Sequence, residues 1–328
     1  MERINRNPDL SIIVTIVSGK RSLTECLKAL LQQTGSHETE IIVPFDESSK
    51  EVGELAVAFP EVVFHFIEDP GIAASPGISA REHRLYDRRR AVGLALARGR
   101  IVAMTEDHAV PAADWVGEIF RAHEGPSAVI GGAIENGVDR PLNWALYYCD
   151  FGRYGRPFVR REAEYLSDVN ISYKRNVLES VRPLWIEAYH ETTVHWNLRK
   201  RGETLLLDPN IVVHEQRPSI SFREAYRERI EWGRVFAETR SAESSAVGRA
   251  LYAAGAPFLP AILLARVFAN MRRQRRTVKQ MIGTLPLAFV LLSGWALGEF
   301  LGYVAGSAAD PEAADSSVTG MNKLSSPS

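Results

Sequence analysis

The chain has 328 residues, 45% of them hydrophobic and 24% charged, which is the composition of a folding polypeptide of about two domains and excludes a disordered tail or a fibre. Thirty-nine Lys and Arg stand against 40 Asp and Glu, a formal charge of -1, so no global positive field exists to gather nucleic acid. Two cysteines, Cys26 and Cys149, are too few for a disulfide framework or a four-cysteine zinc site and suit a reducing compartment.

The first ten residues, MERINRNPDL, lack the apolar stretch of a signal peptide, so the first domain is expected in the cytoplasm. Leu10 to Val17 (LSIIVTIV) is a continuous apolar, β-branched run and predicts a strand covered on both faces of a parallel sheet. Leu23, Leu27, Leu30 and Leu31 recur at helical spacing, and Glu40 to Pro44 (EIIVP) predicts a second strand ending at Asp46. Val62 to Ile67 reads as a third strand, Arg84 to Arg98 as a helix closed by Gly99, and Arg100 to Thr105 (RIVAMT) as a fourth strand. This alternation predicts a doubly wound α/β sheet with its ligand beyond the carboxyl ends of the strands. Ser18 to Arg21, Asp46 and Glu106 to His108 are therefore the residues to inspect.

Beyond Ala133 the pattern changes to short strands, Asp168 to Ser172 and Leu205 to Leu207, with a helix from about Glu191 to Lys200. A charged helix is expected over Phe222 to Arg240. Two apolar stretches follow: Ala250 to Ala265, broken by Pro257 and Pro260, and Met281 to Gly306, interrupted by Pro286 and Glu299. The second exceeds the roughly 20 residues of a membrane span; the first is short and is expected to lie re-entrant or at the interface. Between them runs the basic segment Arg266 to Lys279, whose Arg272, Arg273, Arg275, Arg276 and Lys279 are expected against anionic headgroups. The last residues, 307–328, are small, polar and without periodicity, and are expected to be disordered.

The segment Thr105-Glu106-Asp107-His108 directly follows the fourth strand. Acidic groups and an imidazole at a strand's carboxyl end suit Mg²⁺ or Mn²⁺ on a diphosphate, because both ions favour oxygen ligands and Mn²⁺ tolerates imidazole. Two competing motifs fail. His190-Glu191 has Val194 where a zincin helix needs its second histidine, and Gly19-Lys20-Arg21-Ser22 lacks the upstream glycine of a P-loop.

Over residues 10 to 240 the sequence resembles the family 2 glycosyltransferases of the GT-A fold. LSIIVTIV looks like the family's opening strand, EIIVPFDES like its second strand, and RRAVGLALARGRIVAMTEDHAVP like its Arg-bearing helix with the D-x-D segment. HETTVHWNLRKRGETLLLDPNIVVHE resembles the segment carrying the catalytic acid and the following strand that ends in His. The resemblance implies an α/β, Rossmann-like, mainly parallel sheet. It implies a donor half over about 1–135, an acceptor half over about 136–245, and a membrane-associated region over 246–306.

On that resemblance Glu191 stands for the catalytic base and Asp46 for the nucleobase reader, with Ser18, Arg90 and Asp107 also on the donor. Glu106, His108 and His214 stand for the ligands of a divalent cation, Mn or Mg, and Asn170 and His190 for acceptor-side residues. The function implied is an inverting glycosyltransferase at the cell membrane with a cytoplasmic catalytic domain. It would move a sugar from a nucleotide-diphosphate donor to a lipid-linked or polysaccharide acceptor, with membrane lipids but no nucleic acid as partners. Because both D-x-D positions and the acid before the base are altered, the alternative is an inactive GT-A module that binds nucleotide-sugar or scaffolds a membrane glycan assembly.

Overall fold

The apolar run at the start of the sequence forms β1 (Leu10–Thr15), all six residues of which are buried, as befits a strand covered on both faces. A computed structural model describes residues 8–69, 78–242 and 244–305; the tail expected to be disordered lies outside them. In chain order β1 is followed by α1 (Lys20–Leu31), β2 (Thr39–Phe45), β3 (Val62–Phe66), α2 (Ile78–Leu96), β4 (Ile101–Glu106), β5 (Ala109–Pro111) and α3 (Trp115–His123). Then come β6 (Val129–Asn136), α4 (Pro141–Asp150), β7 (Arg161–Glu162), β8 (Asn170–Lys174), α5 (Arg175–Glu179), α6 (Glu191–Lys200) and β9 (Leu205–Glu215). Four helices close the chain: α7 (Phe222–Ala242), α8 (Ala246–Gly255), α9 (Leu259–Arg273) and α10 (Val278–Ala305).

The strands make one sheet in the order β3-β2-β1-β4-β8-β6-β9-β5, with β7 also paired to β9. Its first four strands are parallel, as the βαβ alternation predicts. Beyond β4 the sheet is mixed, because β8 runs antiparallel to both β4 and β6. That reversal positions the site. The register Thr105↔Asn170 brings the residues just before β8 beside the carboxyl end of β4, and the register Ala109↔Glu215 brings the end of β9 beside the turn after β4.

The described residues pack as two compact units, Met1–Ser219 with Phe268–Thr284, and Ile220–Val267 with Leu285–Ser328. From Phe268 to Lys279 the basic segment thus belongs to the first unit. Arg273 donates to the carbonyls of Gly155 (2.7 Å), Pro157 (2.8 Å) and Gly152 (3.0 Å). Arg276 lies over the Trp144 ring at 4.0 Å and donates to the Tyr148 hydroxyl at 2.9 Å. Two of the five cations expected against headgroups are therefore engaged by the protein, and Arg272, Arg275 and Lys279 remain exposed.

In the second unit α7 and α10 run side by side in the same direction, Tyr226 by Gly294, Ile230 by Gly298 and Arg234 by Gly302. A Cβ on Gly298 would lie 2.0 Å from the Ile230 carbonyl oxygen, so the contact requires glycine there. The first apolar stretch is longer than its prolines suggest. Ala246–Arg273 and Val278–Ala305 are each 28 residues long and apolar enough to cross a membrane. Pro257 and Pro260 fall in the first turns of successive helical pieces, where a missing N–H breaks no hydrogen bond.

Candidate active site

The turn from β1 into α1 needs Gly19, whose φ of 93° is a conformation that side-chain-bearing residues rarely adopt. Asp107, fully buried after β4, fastens this turn. Its carboxylate accepts from the backbone N–H of Ser18 (2.9 and 3.0 Å) and of Gly19 (2.7 Å). The Ser18 hydroxyl in turn lies 3.0 Å from His108 Nδ1. Asp46, at the end of β2, is 3% exposed. One carboxylate oxygen accepts from the Ser48 N–H (2.8 Å) and hydroxyl (2.7 Å), and the other from Arg89 Nε (2.8 Å). Burial alone would raise the Asp46 pKa, but the bonds from Arg89 and Ser48 hold it below the usual carboxylate range. Arg89, next to the Arg90 singled out in the sequence, is the buried partner on this side.

A second constellation is short of cations. His108 places Nδ1 3.2 Å from Asp107 Oδ1. Its Nε2 lies 3.0 Å from Glu215 Oε1 and 3.4 Å from Glu106 Oε2. Burial works against a charge on the ring, yet Glu215, Asp107 and Glu106 together push the His108 pKa well above its ordinary value. Burial raises the Glu106 pKa, with His108 and Arg90 opposing. Arg90, 4% exposed, holds Glu106 Oε1 at 2.6 Å, Asp168 Oδ2 at 2.9 Å and Asp87 Oδ1 at 3.4 Å. Two buried atoms here, Glu215 Oε2 and Arg90 Nε, have no hydrogen-bond partner.

Glu191, the first residue of α6, joins this cluster through Asp168, whose backbone N–H donates to Glu191 Oε2 at 3.0 Å. Burial raises the Glu191 pKa well above the usual range, and the Asp168 charge adds to the rise. His190, exposed, turns to Asp87 (2.9 Å), and that hydrogen bond raises its pKa. Thus Glu106, Arg90, Glu191 and His190 meet around Asp87 and Asp168, and His108 joins them through Glu106. Asp46 and Ser18 lie on the neighbouring strand ends.

Two expected residues stand differently. Asn170 spends its side chain inside the sheet, accepting from Trp115 Nε1 (2.9 Å) and donating to the Ala133 (2.9 Å) and Ile211 (3.0 Å) carbonyls. The structure does not bring His214 to Glu106 and His108. Successive strand residues face opposite sides, so Glu215 reaches His108 while His214 lies on the side of Glu135 and Arg156, where burial lowers its pKa. Glu215, Asp168, Asp87 and Arg89 are residues that sequence reasoning missed. Asp87 and Arg90 at i,i+3 were the one local signal; Glu215 and Asp168 depend on the sheet register.

The residues present suit a divalent cation by chemistry, with three carboxylates, one imidazole and the unpartnered Glu215 Oε2. Among the described residues no three such side chains already surround a common point.

The family model for glycosyl transferase family 2 matches residues 11–182, more than half of the chain. The chain belongs to this family. As a family 2 glycosyltransferase it has the GT-A fold, its parallel β3-β2-β1-β4 half extended by the mixed strands. No curated protein matches it.

Among solved structures this glycosyltransferase is similar to the mannosyltransferase PcManGT from Pyrobaculum calidifontis in complex with GDP-Man and Mn²⁺. The two are 16% identical over 96% of this chain and 80% of that one, with a TM-score of 0.44. S. aureus TarS 1-349 in complex with UDP-GlcNAc is 13% identical over 92% and 93%, TM-score 0.45. Glucosyl-3-phosphoglycerate synthase from Mycobacterium tuberculosis in complex with Mn²⁺, UDP and glucosyl-3-phosphoglycerate is 15% identical over 67% and 76%, TM-score 0.45.

Proposed function

We propose that the chain is a membrane-associated, inverting glycosyltransferase that moves a sugar from a nucleotide-diphosphate donor to a lipid-linked or glycan acceptor. The observation that carries this reading is the buried Arg90. It ties Glu106, at the end of a donor-half strand, to Asp168, which in turn holds Glu191 at the start of an acceptor-half helix. Glu191 is then placed to take the proton of the acceptor hydroxyl as its oxygen attacks the anomeric carbon and the bond to the diphosphate breaks. Such proton removal contributes about 10²–10⁴-fold. A single displacement of this kind inverts the anomeric carbon.

A divalent cation would be held by Glu106, His108 and Glu215, with His108 giving up its proton to ligate; Glu215 takes the place expected for His214. When bound, it supplies positive charge against the departing diphosphate. Asp107 and Ser18 shape the turn on the donor side, and Asp46, backed by Arg89, faces the nucleobase. His190 borders the acceptor, and Asn170 braces that side from within the sheet.

Membrane association is supported by the two 28-residue apolar helical runs and by their exposed Leu251, Phe258, Ile262, Phe289, Phe300 and Leu301. The catalytic unit is placed on the cytoplasmic side. We further propose the segments 1–245 as catalytic, 246–306 as membrane-associated and 307–328 as tail.

The test is hydrolysis of a panel of nucleotide-sugars by the purified full-length chain, with Mn²⁺, with Mg²⁺ and with EDTA. Metal-dependent release of nucleotide diphosphate is expected. Binding without turnover under every condition would favour the inactive nucleotide-sugar-binding module instead.

A further inference from the structure

The two apolar runs are long enough to cross a membrane, but the places where their ends are held oppose a crossing. Nine of the 21 residues of α7 are Arg or Glu, and charged side chains are the costliest of all in hydrocarbon, so α7 does not cross. The next run, Ala246–Arg273, starts just after α7 and finishes at Arg273, which is bonded to the carbonyls of Gly152, Gly155 and Pro157 in the catalytic unit. Both ends of that run are thus on the catalytic side, and a single crossing between them is ruled out. Only α10 is left as a span. Its residues 278–284 belong to the first unit, and over residues 294–302 it lies against α7, where the Arg234 backbone flanks Gly298 and Gly302. The Arg234 side chain at this level is 55% exposed and pairs with Glu238 at 2.8 Å. A bilayer around this part of α10 would have to take in α7 with its charges. Residues 285–293 alone are clear of both, nine residues or about 13 Å of helix, against a hydrocarbon core of about 30 Å.

The surface that α10 leaves open is a single apolar face. Phe289, Val290, Leu297, Phe300, Leu301 and Val304 fall together beside the glycine stripe that meets α7, and all six are exposed. The charges of this region have one sign. From residue 246 to residue 298 there are seven Arg and Lys and no Asp or Glu, and Arg266, Arg272, Arg275 and Lys279 are exposed. The first acid, Glu299, is buried and accepts from Trp295 Nε1 and the Tyr303 hydroxyl. An apolar face accompanied by cations alone complements the acyl and headgroup layers of an anionic leaflet.

We propose that the C-terminal helices do not cross the membrane but lie in the plane of one anionic leaflet: the exposed face of α10 enters the acyl layer, the cations between residues 246 and 298 meet the headgroups, and the charged α7 stays on the water side. The proposal rests on the reading of the chain as membrane-associated and makes that association one-sided. The carboxyl end of α10 is then on the same side of the membrane as the catalytic residues. Donor, acceptor and product are handled on that side, and these helices supply no path across.

The experiment places the full chain in sealed, inverted membrane vesicles from an expressing bacterial host, adds a membrane-impermeant maleimide, and reads labelling on the peptide that carries each introduced cysteine. Three exposed positions report: Val57→Cys on the catalytic unit, Leu297→Cys on the apolar face, and Ala305→Cys at the end of α10, three residues beyond Gly302. The protein should stay with the vesicles through a high-salt wash, because burial of apolar surface is not screened. Val57→Cys and Ala305→Cys should react alike with and without detergent. Leu297→Cys should react about tenfold or more slowly until detergent is added, since it lies in the acyl layer. The unmodified chain gives a second reading, release of the peptide after Lys323 by trypsin without detergent. If Ala305→Cys reacts only in detergent while Val57→Cys reacts freely, α10 spans; the proposal is overturned and membrane association stands. Free reaction of Leu297→Cys on vesicle-bound protein also overturns it, because the face is then outside the lipid. Protein left in the supernatant would instead remove membrane association itself, and the proposal with it; a dimer there with Leu297→Cys protected would give the apolar face to a second copy of the chain.

Discussion

Two sets of buried charged groups at the same rim of the sheet, one matched and one crowded, treat charge in opposite ways. After β2, Asp46 is matched by Ser48 and Arg89, and after β4, Asp107 is matched by the N–H groups of Ser18 and Gly19. Between Glu106 and Glu191 the balance differs. Arg90 is shared by Asp87, Glu106 and Asp168, His108 by Glu106, Asp107 and Glu215, and Glu215 Oε2 has no partner. Satisfied buried groups rigidify a fold, whereas crowded carboxylates hold pKa values apart and invite a cation or a proton. The matched groups form the frame, and the crowded ones are those to which the proposed chemistry is assigned.

The largest expected effect breaks the frame. Arg89→Met leaves Asp46 buried without its cation and should cost about 3–5 kcal/mol, read as a lower denaturant midpoint at unchanged m-value. Asp107→Ala strands two N–H groups and should cost about 2–3 kcal/mol, read in the same way. Glu215→Gln samples the other side of the comparison. The amide oxygen can still accept from His108 and the crowding is relieved, so stability should stay within about 1 kcal/mol. Mn²⁺ affinity, measured by calorimetry, should fall at least tenfold for loss of a charged ligand, and EDTA should abolish hydrolysis in the wild type. An equal stability loss in Glu215→Gln and Arg89→Met would erase the distinction.

The smallest effect is a pH dependence. The Asp46 pKa is lower in the folded chain than in the unfolded one, so its contribution is fully present above the unfolded value. It is lost as pH falls through the folded pKa. The wild type should therefore lose stability at the acid end more steeply than Arg89→Met does.

Much of this frame was legible in the sequence. Apolar runs gave β1, β2 and β4 to within a residue or two, and the helix expected from about Glu191 to Lys200 is α6. Family resemblance placed Glu106, His108 and Glu191, which the structure brings into one cluster. Asp168 and Glu215 were invisible because they enter through antiparallel pairing, Thr105 with Asn170 and Ala109 with Glu215. No local pattern announces such a register. For the same reason the resemblance pointed to His214, whereas the residue that the structure puts beside His108 is Glu215. In the C-terminal region prolines suggested a short first helix, although at first-turn positions they interrupt nothing. The docking of Arg273 on backbone carbonyls was hidden in a run of like charges.

The claim that the crowded cluster performs the chemistry, with Glu191 as base, is tested most directly by single-turnover transfer or hydrolysis with Glu191→Gln beside the wild type at saturating donor. The account expects donor affinity within a few-fold of the wild type and a rate lower by about two orders of magnitude or more. A rate close to that of the wild type would contradict it.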